Sequence, residues 1–241
     1  MILYVLGPER GELFGTKWAY GTGAGSKVTE DVGQRCPVCQ QTVGHLVWLP
    51  PHRIELSSAK PEKWGDFLWG SSLSGPMVSA RFKTVYEAER LIGIRQFHPS
   101  AEIMRVGKRK TGDLPPTLPT YHLVEIERLG PELDEKASEV IRRRLDCTYC
   151  HRGYVERWER VVIKSGSWAG EDIFFPRGLP GTCVVSERFR QVVEACRFTN
   201  AWLIPAEKYA YDEHRPHLPL HYIRKDHEAL ERALKEAGVA P

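Results

Sequence analysis

The chain has 241 residues, 41% of them hydrophobic and 27% charged, with a formal net charge of +3. Such a composition suits a globular protein with one large core or two modest ones. It lacks the strong basic bias of a nucleic-acid module, and no apolar run reaches the ~20 residues of a membrane-spanning helix.

Residues 1–118 hold 15 Lys and Arg against 11 Asp and Glu, and residues 119–241 hold 19 against 20. The small excess is therefore in the first part, where Lys108, Arg109 and Lys110 read as a solvated linker.

The opening stretch, MILYVLGPE, reads as a first strand ending at the Gly7-Pro8 turn. It is too short in its apolar part for a secretory signal and lacks the basic flank. A cytoplasmic location, with thiols kept reduced, is the expectation. Gly21 to Lys27 (GTGAGSK) has the look of a phosphate loop, but Ser26 stands where that loop requires glycine, so a flexible loop is expected.

Cys36-Pro-Val-Cys39 follows, then Gly44 and the apolar stretch HLVWLPPHRIEL. Further on, DFLWGSSLSG (66–75) is an apolar triplet and a small-residue loop leading into VSARFKTVYEAER (78–90). In that last segment Ser79 suits an N-cap. Phe82, Val85 and Tyr86, at i, i+3 and i+4, form one apolar stripe of a helix. Thr111 to Thr120 (TGDLPPTLPT) is proline-rich and reads as an extended connector.

Beyond the connector the same order returns. LGPE at 6–9 recurs at 129–132, CPVC at 36–39 meets Cys147-Thr-Tyr-Cys150, and DIFFPRGLPG (172–181) answers the first apolar triplet and loop. VSERFRQVVEACR (185–197) shares eight of thirteen residues with 78–90 at an offset of 107. Ser186 is again the cap, and Phe189, Val192 and Val193 again the stripe. Lys83–Glu87 and Arg190–Glu194 are matching i,i+4 pairs of a solvated helix face.

The expected fold is α+β. A strand-rich unit is duplicated into pseudo-symmetric halves, 1–115 and 116–241, each with a CxxC knuckle, antiparallel strands and one amphipathic helix. Together the halves form one compact unit. Lys225 to Ala237 reads as an additional amphipathic helix stopped at Gly238.

Of six cysteines, Cys183 and Cys196 lie opposite Met77 and Glu89 in the repeat and read as packing residues. Cys36, Cys39, Cys147 and Cys150 match two by two. Two C-x-x-C turns suit a tetrahedral S₄ site, for which zinc is the expected occupant. A redox pair, an iron–sulfur cluster and unligated thiols are the alternatives. The gap of 107 residues between the pairs is far longer than in a compact zinc finger, and duplication accounts for it: each half supplies one knuckle. A closed Cys₄ zinc would be structural. His214, His217, His221 and His227 form a rival cluster, but two prolines break their spacing, and they read as exposed tail histidines.

These paired motifs, with GEDIFFPRGLPGTCVVSERFRQVVEACRFTNAWLIP (170–205), resemble the myxobacterial double-CxxCG motif family over nearly the whole chain. Gln40 and His151 stand where that family has glycine. The resemblance implies a cytoplasmic immunity protein, with no catalytic residues, that binds and neutralises a cognate toxin through a protein–protein interface. Two other readings come from the residues. A zinc-containing nucleic-acid module would use Lys108 to Lys110, Arg142 to Arg144, Tyr154 and Trp158. A thiol oxidoreductase would use Cys36 or Cys147.

Overall fold

A computed structural model of the chain describes residues 2–9, 17–25, 27–29, 33–44, 47–70, 75–110, 113–179, 181–213 and 222–223. The four late histidines, the 225–237 helix and most of the Ser71–Gly75 loop lie outside the described residues.

In chain order the first part contains β1 (Leu3–Gly7), β2 (Gly21–Gly23), β3 (Val28–Thr29), β4 (Val47–Trp48), β5 (Arg53–Leu56), β6 (Phe67–Leu68) and β7 (Met77–Ser79). Next come α1 (Ala80–Ala88), β8 (Ile94–Ser100), β9 (Glu102–Val106) and β10 (Arg109–Lys110). Past the connector are β11 (Tyr121–Ile126), β12 (Ile141–Leu145), β13 (Gly153–Trp158), β14 (Ile173–Phe174) and β15 (Val184–Ser186). The last are α2 (Glu187–Ala195), β16 (Trp202–Pro205), β17 (Tyr209–Asp212) and β18 (Tyr222–Ile223).

The protein is α+β, strand-rich with two helices. The described strands form four four-stranded sheets and one pair. All pairings are antiparallel except that of β5 with β9. Gly21 to Gly23, expected as loop, is instead a strand on β5, because its backbone amides and carbonyls find partners in Ile54 to Leu56.

Two sheets have the same construction. One runs β6-β7-β11-β8 and the other β14-β15-β1-β16. In each, an inner strand comes from the other part of the chain. β1 lies between β15 and β16, pairing Tyr4 with Val185 and with Pro205. β11 lies between β7 and β8, pairing His122 with Val78 and with Ser100. Neither sheet is complete without a strand from far along the sequence.

The two helices run behind these sheets, and their caps are as the sequence suggests. Ser79 Oγ accepts the Phe82 amide and Ser186 Oγ accepts the Phe189 amide, both at 3.1 Å. Phe82 and Tyr86 of α1, and Phe189 and Val193 of α2, are buried one turn apart. They meet in one core with Phe67, Val78, Val124, Ile173 and Val185. The rings of Phe82 and Phe189 are 5.9 Å apart. The Arg190–Glu194 pair closes at 2.6 Å and Lys83–Glu87 at 4.0 Å, on solvated faces.

A polar clasp holds each helix start to the end of the other helix. Asp66, just before β6, accepts the Ser79 hydroxyl at 2.8 Å and the Arg81 guanidinium at 2.6 Å. It also accepts the Thr199 amide and hydroxyl, both at 3.0 Å. Arg81 then donates to the Cys196 and Arg197 carbonyls, where α2 ends. Asp172, before β14, accepts Ser186 at 2.7 Å, Arg188 at 3.1 Å and the Ile92 amide at 3.0 Å. Arg188 donates to the Glu89 and Arg90 carbonyls, where α1 ends. A cation on terminal carbonyls and a carboxylate at a helix start both complement the helix dipole.

Burial opposes the charge on Asp66, but the bonds from Arg81, Thr199 and Ser79 outweigh it and hold the carboxyl below its ordinary range. Its stabilising contribution is complete above about pH 4 and is lost as pH falls through the depressed native value. Asp66→Ala is expected to lower the unfolding free energy in urea at pH 7 by about 2–3 kcal/mol. The difference from wild type should shrink at pH 3.

Candidate metal centre

Each C-x-x-C lies in a tight turn, the first closed by the antiparallel bridge of Arg35 with Thr42 and the second joining two paired strands. Cys36 and Cys39 lie between β3 and β4, and Cys147 and Cys150 between β12 and β13. Backbone bonds close each turn. In the first, the Cys36 amide donates to Gln41 O at 2.9 Å and the Gln40 amide to Cys36 O at 3.0 Å. In the second, the Asp146 amide donates to Arg152 O at 2.7 Å. At Gly153 the strands approach so closely that a Cβ would lie 2.0 Å from Arg144 O, so a side chain there would push the hairpin apart.

The residue after each second cysteine is left-handed, Gln40 at φ 59° and His151 at φ 54°. Glycine would adopt that conformation freely, and a side chain costs about 1–2 kcal/mol. Both side chains make local bonds that offset it. Gln40 Nε2 donates to Pro37 O at 2.9 Å, and Arg35 donates to the Gln40 carbonyl at 3.1 Å. His151 Nδ1 donates to Glu135 Oε1 at 2.6 Å, and Glu135 is held in turn by Arg142. The departure from glycine thus leaves the turn shape intact.

The two turns meet. Cys36 Sγ is 3.9 Å from Cys147 Sγ, Cys39 Sγ is 3.8 Å from Cys150 Sγ, and all four sulfurs lie within 4.8 Å of one another. All four are free thiols, far beyond the ~2.05 Å of a disulfide bond. A tetrahedral ion with metal–sulfur bonds of about 2.3 Å sets its sulfurs about 3.8 Å apart. The group can therefore hold a metal ion, and its spacing is compatible with zinc. Val43 and Leu129 pack around the sulfurs and keep water from their inner side.

Amide donors face the sulfurs, as metal thiolates require. Val38 N is 3.4 Å from Cys36 Sγ. The Cys150 and Tyr149 amides bring the Cys147 thiol down to about 6, favouring its ionised form. Burial pushes Cys150 up to about 12. A bound cation favours the ionised form at both.

Cys183 and Cys196 lie apart from this group. Cys183 is in the helix core, where burial pushes its thiol up to about 12, and Cys196 caps α2, half-buried. The basic run Arg142 to Arg144 forms most of β12, and each of its arginines meets a carboxylate: Glu135, Glu156 with Glu213, and Asp146. Trp158 is buried and stacked on Tyr211, their centroids 4.5 Å apart. Arg109 and Lys110 form β10 in another sheet, and Lys108 lies in the turn before it.

One concavity was not read from the sequence. A cavity of about 200 Å³ is walled by Trp69, Phe175, Trp202 and Tyr209, with Gly75 and Gly181 at its edge and no charged side chain among the described residues of its lining. Both glycines end the small-residue loops that recur in the sequence, which was the available signal. No family model matches this chain, and no curated protein matches it in sequence.

Removal of metal with a strong chelator is expected to lower the melting temperature by about 8–16 °C, from a loss of roughly 4 kcal/mol in a chain of this size. Serine at Cys36 or Cys150 should do the same in differential scanning calorimetry, whereas Cys196→Ser should leave metal content unchanged. Because binding requires deprotonated thiols, metal content should fall as pH is lowered.

Proposed function

We propose that this protein is a cytoplasmic immunity protein, which binds a cognate toxin and neutralises it on a rigid scaffold containing one structural zinc. The observation that carries the scaffold half of this reading is the convergence of four thiols from two distant turns. A Cys₄ set fills every position of tetrahedral zinc and leaves none for a reacting water, so the ion serves as a staple. The toxin half rests on the likeness of residues 36–39, 147–150 and 170–205 to the double-CxxCG motif family.

The same reading takes the chain as a duplicated unit. Three pairs of matching features support this: the Asp66–Ser79–Arg81 and Asp172–Ser186–Arg188 clasps, the left-handed Gln40 and His151, and the left-handed Arg90 and Arg197. The inserted strands β1 and β11 begin the two copies. Zinc then joins one copy to the other, as the strands do.

Two measurements test the proposal. Protein purified without added metal is expected to contain about one zinc per chain by mass spectrometry; less than one per two chains overturns the staple. Co-expression with the toxin gene adjoining this one should restore growth of the host. Survival no better than with empty vector overturns the immunity reading and leaves the zinc result standing.

A further inference from the structure

β12 is the outermost strand of its sheet, in the order β12-β13-β17-β18, and no other described strand pairs with its outer edge. Such an edge offers a row of backbone donors and acceptors to any extended chain. Its side chains are open as well. Ile141 and Leu145, at the two ends of the strand, are 42% and 46% exposed. Tyr149, at the tip of the adjoining knuckle, is also exposed and lies over Arg177.

The charges between these apolar ends are arranged in depth. Arg143 and Arg144 are 61% and 69% exposed, while Glu156 and Glu213, which hold Arg143, are at 20% and 12%. Asp146, which pairs with Arg144, is 32% exposed, so an approaching partner meets the two guanidinium groups first, with Glu156 and Glu213 beneath them and Asp146 beside them. Arg35 and Arg152, on the two knuckles, are exposed too. A second copy of this strand would set Arg143 and Arg144 against their own kind, which disfavours self-pairing. An acidic strand would be drawn in.

We propose that β12 is the docking edge of this protein, and that its occupant is an extended, acidic segment of a partner protein, added as a further strand with its carboxylates on Arg143 and Arg144 and its apolar residues on Ile141 and Leu145. This rests on the toxin-binding reading and names the surface and chemistry it would use. The knuckle sets the strand's position: Cys147 follows Leu145 by two residues, so a bound ion anchors the end of β12 and presents the edge already ordered.

The test uses the full-length, metal-loaded protein and a fluorescein-labelled nine-residue peptide of alternating valine and glutamate, followed by fluorescence anisotropy. The glutamate peptide should bind and the corresponding valine–lysine peptide should not. N-methylation of alternate residues along one edge of the glutamate peptide should weaken binding at least tenfold, since it removes strand donors and keeps the charge. Arg143→Glu with Arg144→Glu should weaken it by a similar factor. Arg144→Ser, which disturbs only the exposed pair with Asp146, should weaken it severalfold with an unchanged melting temperature. Equal binding of the N-methylated peptide, equal binding by the variants, or no binding of the glutamate peptide overturns the docking edge. In co-expression the double variant should lose the protection that the wild type gives. If the wild type itself gives none, the immunity reading fails, and the peptide titration still decides the edge.

Discussion

The architecture depends on two strands inserted far from where they lie in the sequence. β1 completes the sheet around β15 and β16, and β11 completes the one around β7 and β8. The insertion of β1 closes a very long loop and that of β11 a shorter one, and the entropy of each must be offset by pairing and burial on both sides at once. Leu6, Val124 and Ile126 of these strands belong to the same core as Phe82 and Phe189. The two parts of the chain therefore fold into a common core and would not separate as beads on a string.

Two further devices tie the same parts together. The clasps join the start of each helix to the end of the other through Arg81 and Arg188, so neither helix can shift along the other without breaking these bonds. At the periphery the four gathered thiols can hold a metal ion, and such an ion would join the two turns where their own apolar cluster around Val43 and Leu129 is small. A scaffold secured at several places would suit the recognition role proposed above, because less freedom is lost on association.

Some elements were legible because their signals are local. The serine caps and i, i+4 stripes of α1 and α2 depend on a period of 3.6 residues and a hydroxyl one residue ahead, and both helices lie where the sequence places them. The C-x-x-C spacing likewise reports a turn that points two sulfurs the same way. Other features left weaker marks. Asp66 and Asp172 align in the repeat, as do Arg81 and Arg188, yet an aspartate before an apolar triplet looks like a solvated loop residue until its partners appear. Gln40 and His151 suggested a turn poorly suited to side chains. The bonds to Pro37 and Glu135 that offset the strain come from residues whose proximity only folding creates for His151. Gly21 to Gly23 belongs to a stretch whose failed phosphate-loop pattern suggests a flexible loop, and pairing with β5 makes it a strand instead.

By itself, then, the sequence determined the local units: two capped helices, two thiol turns, the strands that flank them, and the order in which they recur. Those follow from periodicity and ligand spacing, which act over a few residues. Only the tertiary structure decided that β1 and β11 are inserted into distant sheets, that all four sulfurs gather within 4.8 Å, and that β12 is left with an open edge. The pairing of β1 and the meeting of the four sulfurs join segments more than a hundred residues apart, and the placing of β11 and the open edge of β12 follow from how the remaining strands arrange around them. They are chosen by the burial and hydrogen bonding of the whole chain, and no window of sequence contains that information.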